Sequence, residues 1–233
     1  MLRTLFSGHF TMQEIFAEIL AVLLIVFLIL PFHEWAHAQT AYLLGDKGIK
    51  ARGRLSLNPL SHIDPIGALM MLLIGFGWAK PVPVDPRYFK RPKLGMAITA
   101  AMGPISNMLA ALAGMIVFNL IRFNAIDWLY ASGGESLEPS LIWYFLSFYI
   151  SVNISLAVFN LIPIPPLDGS KVLFLFLPDK AVNFFYRYQN IFFMVLFILM
   201  WGGALNGVLS YCTNWLYHGL SWLAYLPFQP FVG

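Results

Sequence analysis

Residues Ile19 to Phe32 form an unbroken apolar run, and the run leads straight into His33-Glu34-Trp35-Ala36-His37. Residues 11–44 as a whole read as one membrane-spanning helix ended by Gly45-Asp46. In lipid, a helix is one of the few shapes that satisfies its own backbone polar groups. A carboxylate and two imidazoles at the end of such a helix are costly unless they have a use. His33 and His37 are four residues apart, so they share one helix face and can grip one Zn²⁺. Glu34 projects about 100° away from His33, which suits a general base acting on zinc-activated water better than a ligand. Pro31 frees the carbonyl of Phe27 and is expected to kink the helix one turn before the motif.

Composition supports the membrane reading. The chain is 59% hydrophobic and 11% charged, with a mean hydropathy of +0.73. Soluble domains are roughly 25% charged. The net charge of +3 is small, and the basic residues gather in loops. That pattern sets membrane orientation and gives no footing for nucleic acid. A single cysteine, Cys212, excludes an internal disulfide and a thiolate-rich metal site. The first apolar run carries the motif, so no cleavable signal peptide is expected.

Further spans are expected over residues 94–121, 140–161 and 190–215. Residues 65–78 are apolar but too short for a straight span, which needs about 20 residues. Basic residues flank this run on both sides (Lys47, Lys50, Arg52 and Arg54 before it; Lys80, Arg87, Lys90, Arg91 and Lys93 after it). The positive-inside rule then makes the run re-entrant. Ala51–Leu57 alternates, with Arg52, Arg54 and Ser56 on one side, which is a short strand signal. Asn107 reads as an inter-helix hydrogen bond. Glu135 and Glu138 fall in an acidic loop on the far side of the membrane, and the aromatic tail after Trp215 reads as interfacial. The fold class is an all-α membrane protein: one domain, a polytopic bundle of about four spanning helices plus a re-entrant insert that can be β-structured.

Two histidines leave a catalytic zinc short of a protein ligand. Position 43 is Leu, so the pattern with a third histidine close by fails, and no Glu occurs between Glu34 and Glu135. His62, Asp64 and Asp168 remain on the motif's side. Topology favours Asp168: the span over 140–161 returns to that side and ends in Asn160-Leu-Ile-Pro-Ile-Pro-Pro-Leu-Asp168-Gly169. Irregular backbone at membrane depth is tolerated where it lines a wet cavity. His62 and Asp64 read as loop residues or outer partners of the site.

With His33-Glu34-x-x-His37 on one membrane helix and Asn160-x-x-Pro163-x-Pro165-x-x-Asp168-Gly169 near another, the chain resembles the site-2 protease family of intramembrane zinc metalloproteases. The resemblance covers about Leu20 to Leu209. It implies that His33, His37 and Asp168 hold the zinc, that Glu34 is the base, and that Asn160 polarises the substrate carbonyl. It also implies that the insert over 46–93 is a small β-structured element handling an extended substrate. No PDZ-like domain is recognised, which suggests the compact form of the family. The expected activity is hydrolysis of a membrane protein or peptide substrate in the lipid bilayer of a prokaryotic cell, with the site towards the cytoplasm. The competing readings are a membrane metal-binding or transport protein, and an inactive relative acting as a binding partner. Zinc retention and cleavage in Glu34→Gln separate them.

Overall fold

The structure, a computed structural model, describes residues 12–74, 77–132 and 141–231. It is a helix bundle. Helix α1 (Met12–Leu24) runs through a π-helical turn (Ile25–Ile29) into α2 (Leu30–Leu44), which carries the motif. The turn absorbs the proline: Pro31 has no N–H to give, and the Leu30 N–H reaches back to the Ile25 carbonyl across the widened ring. Gly45 ends the helix at φ 130°, where a side chain would also meet the Tyr88 carbonyl oxygen at 2.6 Å.

The central element is α5 (Pro92–Ser132), which packs against α2, against α6 (Leu141–Asn160), and against α7 (Asp168–Phe174) and α10 (Asn206–Tyr225). Among the described residues, three helical segments are long and apolar enough to cross a membrane: Ile19–Leu44, Pro92–Phe123 and Ile142–Asn160. Helices α8 (Asp179–Arg187) and α9 (Gln189–Trp201), bent by 66°, reach that length and composition only as a pair. Ala111, Met115, Ile150, Ile154, Leu220 and Ala224 close the core between α5, α6 and α10, and Val22, Ile25, Val26 and Ile29, on α1 and the π-helical turn that lead into the motif helix, pack on α6. Small residues on α5 let these backbones approach closely.

Several segments differ from expectation. Residues 190–215 fall on two helices joined at Gly202-Gly203. The tail after Trp215 continues α10, because Leu220 and Ala224 share a face and bury it on the bundle. Helix α5 runs on to Ser132, and Glu135 and Glu138 lie outside the described residues.

Among the described residues the expected β-structured insert is not found. Gly48–Ala51 is a single helical turn (α3), and the residues after it are irregular. Among the described residues the one strand-like pairing is an antiparallel bridge between Ile63 and Ala79. A ladder needs N–H donors, and Pro81, Pro83 and Pro86 have none. The arginines that mimicked a strand face reach for backbone carbonyls instead. Arg54 donates to the Ser61 and Pro81 carbonyls, and Arg52 to the Pro83 carbonyl. The apolar run is α4 (Pro65–Ile74), and the chain comes back beside its own entry point at Ala79. This suits a re-entrant path.

Candidate metal centre

Helical spacing brings His33 and His37 side by side on α2, with their Nε2 atoms 3.1 Å apart. Asp168, the first residue of α7, places Oδ2 at 3.3 Å from His33 Nε2 and 3.2 Å from His37 Nε2. All three residues are buried. Metal–ligand bonds of about 2.0–2.1 Å at tetrahedral angles set ligand atoms about 3.3 Å apart. The triangle therefore fits a small tetrahedral cation with its fourth position open. Two imidazoles and one carboxylate are also a donor set that zinc accepts.

The outer partners fit the same purpose. His33 Nδ1–H donates to Asn107 Oδ1 at 3.1 Å, and His37 Nδ1–H donates to the Thr99 carbonyl at 2.7 Å. Each bond fixes the ring and leaves Nε2 free for a metal. Lys171, one turn after Asp168, donates to Asp168 Oδ1 at 3.0 Å and leaves Oδ2 facing the histidines. Gly103 on α5 provides the space, since a Cβ there would lie 2.4 Å from His37 Nε2 and 2.6 Å from His33 Cε1. Gly169 lets α7 close on the loop before it, where a Cβ would fall 2.1 Å from the Leu161 carbonyl oxygen.

The three side chains open into a cavity of about 600 Å³ that Glu34 and Asn160 also line. Trp78–Val84 lines it as an irregular strap, and the Val82 N–H donates to Glu34 Oε2 at 3.0 Å. The strap is tied down by side chains. Besides the two arginines, the Asp85 N–H donates to Asp46 Oδ2 at 3.0 Å, and the same buried Asp46 carboxylate accepts from Arg52.

His62 and Asp64 stand apart from the triangle. His62 is buried and bonds the Ser56 carbonyl through Nε2, while Asp64 caps α4 by accepting from the Gly67 N–H at 2.8 Å. Sequence reasoning passed over Gly103, Lys171, Thr99 and Val82. Lys171 carried a signal in its i,i+3 spacing from Asp168. Thr99 and Val82 act through backbone atoms and carried none.

Fold and site together define a polytopic membrane protein with a candidate two-histidine, one-carboxylate metal centre beside the Glu34 carboxylate. The profile of Peptidase family M50 matches residues 124–203. Over 180 residues the chain is 38% identical to a Bacillus subtilis protein named "Putative zinc metalloprotease YwhC", covering 75% of this chain and 80% of that one. It is also similar to "Putative zinc metalloprotease Rip2" of Mycolicibacterium smegmatis, at 25% identity over 81% of this chain and 69% of that one. A further match is "Protease RseP" of Photorhabdus luminescens, at 27% identity over 41% of this chain and 46% of that protein. No solved structure matches the chain significantly. The chain belongs to peptidase family M50, the site-2 protease family.

Proposed function

We propose that the chain is a zinc metalloprotease that cleaves peptide bonds of membrane-embedded substrates. The observation that carries this reading is the closed triangle of His33, His37 and Asp168 with Glu34 in the same cavity. The names of the relatives support the zinc and the protease class. His33 Nε2, His37 Nε2 and Asp168 Oδ2 would hold the ion. Zinc supplies Lewis acidity, which polarises a peptide carbonyl and makes water nucleophilic near neutral pH. Glu34 takes the proton of the attacking water on its carboxylate and passes it to the leaving amine. The Val82 N–H holds Oε2 and so sets the carboxylate's rotamer. The Asn160 amide donates to the carbonyl oxygen as negative charge develops there. A substrate helix hides its amide bonds, so it must be unwound locally to enter beside the strap. The basic loops at this end of the bundle support a site towards the cytoplasm of a prokaryotic cell membrane.

The test is Glu34→Gln, with zinc per protein and cleavage of a reconstituted membrane substrate measured together. Zinc content should hold while cleavage falls by about 10²–10⁴-fold. Unchanged cleavage sinks the proposal, and altered metal flux with no cleavage by either protein favours a transporter.

A further inference from the structure

A second groove lies at the basic end of the bundle, away from the metal cavity. Leu43 and Leu44 at the end of α2 form one wall, and Leu94 and Ile98 at the start of α5 form the other. Its volume is about 380 Å³, room for a length of one acyl chain. Phe89 closes the floor by packing on Gly95, where a Cβ would fall 2.4 Å from the ring. Leu43 is 69% and Ile98 40% exposed, and both lie in segments apolar enough to span a membrane. The groove thus opens towards hydrocarbon.

Its rim carries Lys90 and Arg91. Several cations at this end are committed to protein acceptors, while, among the described residues, Lys50 and Lys80, away from the groove, are not. Lys47 donates to the Tyr42 carbonyl, Arg52 to Asp46, Arg87 to Asp85, Lys93 to Asp179 and the Leu177 carbonyl, and Lys171 to Asp168. Lys90 and Arg91 have no such partner among the described residues, and both side chains are exposed. Two adjacent free cations above an apolar slot match a molecule with an anionic head and an alkyl tail. We propose that this groove binds one anionic phospholipid, its phosphate on Lys90 and Arg91 and one acyl chain along Leu43, Leu94 and Ile98. The site rests on the membrane reading and is independent of proteolysis. It sits where α2 and α5 converge, one residue from Thr99, whose carbonyl holds His37.

The experiment is native mass spectrometry of the full chain in neutral detergent with added dioleoyl phosphatidylglycerol or dioleoyl phosphatidylcholine. The wild type should retain phosphatidylglycerol preferentially. The pair Lys90→Gln and Arg91→Gln should lose roughly 30-fold in its affinity for that lipid, from about one kcal/mol per basic residue. Ile98→Trp, which fills the slot and leaves both cations, should lower retention as well. Zinc content reports whether each variant is folded. The proposal is overturned if the double variant retains the lipid as the wild type does, or if phosphatidylcholine is held equally. It also fails if Lys50→Gln, away from the groove, weakens binding as much as the pair, because a general surface charge would then explain the attraction. Displacement by inorganic phosphate alone would mark a free-anion site and refute the lipid.

Discussion

His33, His37 and Asp168 ride on helices, whereas the strap that lines the same cavity, Trp78–Val84, has no regular structure beyond its bridge at Ala79. In the metal corner each side chain has a partner that fixes its direction: Asn107 for His33, Thr99 for His37 and Lys171 for Asp168. Nothing there can move without moving a helix. The strap has no ladder, and Pro81 and Pro83 forbid one. Its inner end is held by the Ala79 bridge and the Lys80 N–H bond to the His62 carbonyl, and the rest by side-chain bonds involving Arg54, Arg52, Asp46 and Glu34. Ligand geometry is thereby locked in the core, while the cover is held by bonds that can be broken one at a time. The proposed cleavage of a membrane substrate would need that division, since the ligands must not shift and the strap must let the substrate in.

The largest effect should come from adding one carbon to the rigid region. In Gly103→Ala the new Cβ would meet both imidazoles, His37 at 2.4 Å and His33 at 2.6 Å. Alanine is the better helix former, so α5 itself should survive. Zinc affinity should fall by at least about 100-fold, beyond the loss usual for an outer partner. Chelator competition measures this directly. Near-normal affinity would mean that the corner is no more rigid than the strap, and the contrast would be gone.

Loosening the strap should cost less and in another currency. Arg54 is 9% exposed, and its fork spans the Ser61 and Pro81 carbonyls, so methionine in its place frees the inner end of the strap. Arg54→Met should keep its zinc and lose up to about 100-fold in kcat/KM, the scale of a misplaced catalytic group. Lysine should recover only part of this, because one ammonium cannot reproduce the fork. Loss of zinc in Arg54→Met would show that the strap supports the corner and is not a separate part.

What the sequence revealed divides along the same line. The histidine pair was legible because helical spacing is local and its residue types name their chemistry. Asp168 was legible through topology, since a returning helix had to deliver a carboxylate to the motif's side. Gly103 was not, because its contribution is an absence of atoms that matters only once another helix is beside it. Val82 and Thr99 contribute an N–H and a carbonyl that almost any residue possesses. The strand reading of 51–57 failed for a related reason. Alternating arginines looked like one face of a sheet, but guanidinium groups reaching for carbonyls produce the same alternation.

The smallest effect should come from the residue at the strap's outer end. Asp85 ties the strap through its backbone N–H, on Asp46 Oδ2, while its side chain serves the following turn. Hydrogen bonds from the Arg87 guanidinium and the Arg87 N–H hold that carboxyl down, at about 2. An unfolded aspartate titrates near 3.9. The folded value is the lower one, so any stability from the pair is complete above about pH 4 and is lost as pH falls through about 2. The pair is exposed and screened, so that stability is small. Asp85→Asn keeps the N–H, and cleavage at neutral pH should stay within about twofold of wild type. Its stability deficit should be flat above about pH 4 and disappear near pH 2, read by denaturation across pH. A tenfold loss of cleavage would show that the side chain, and not the amide, fastens the strap.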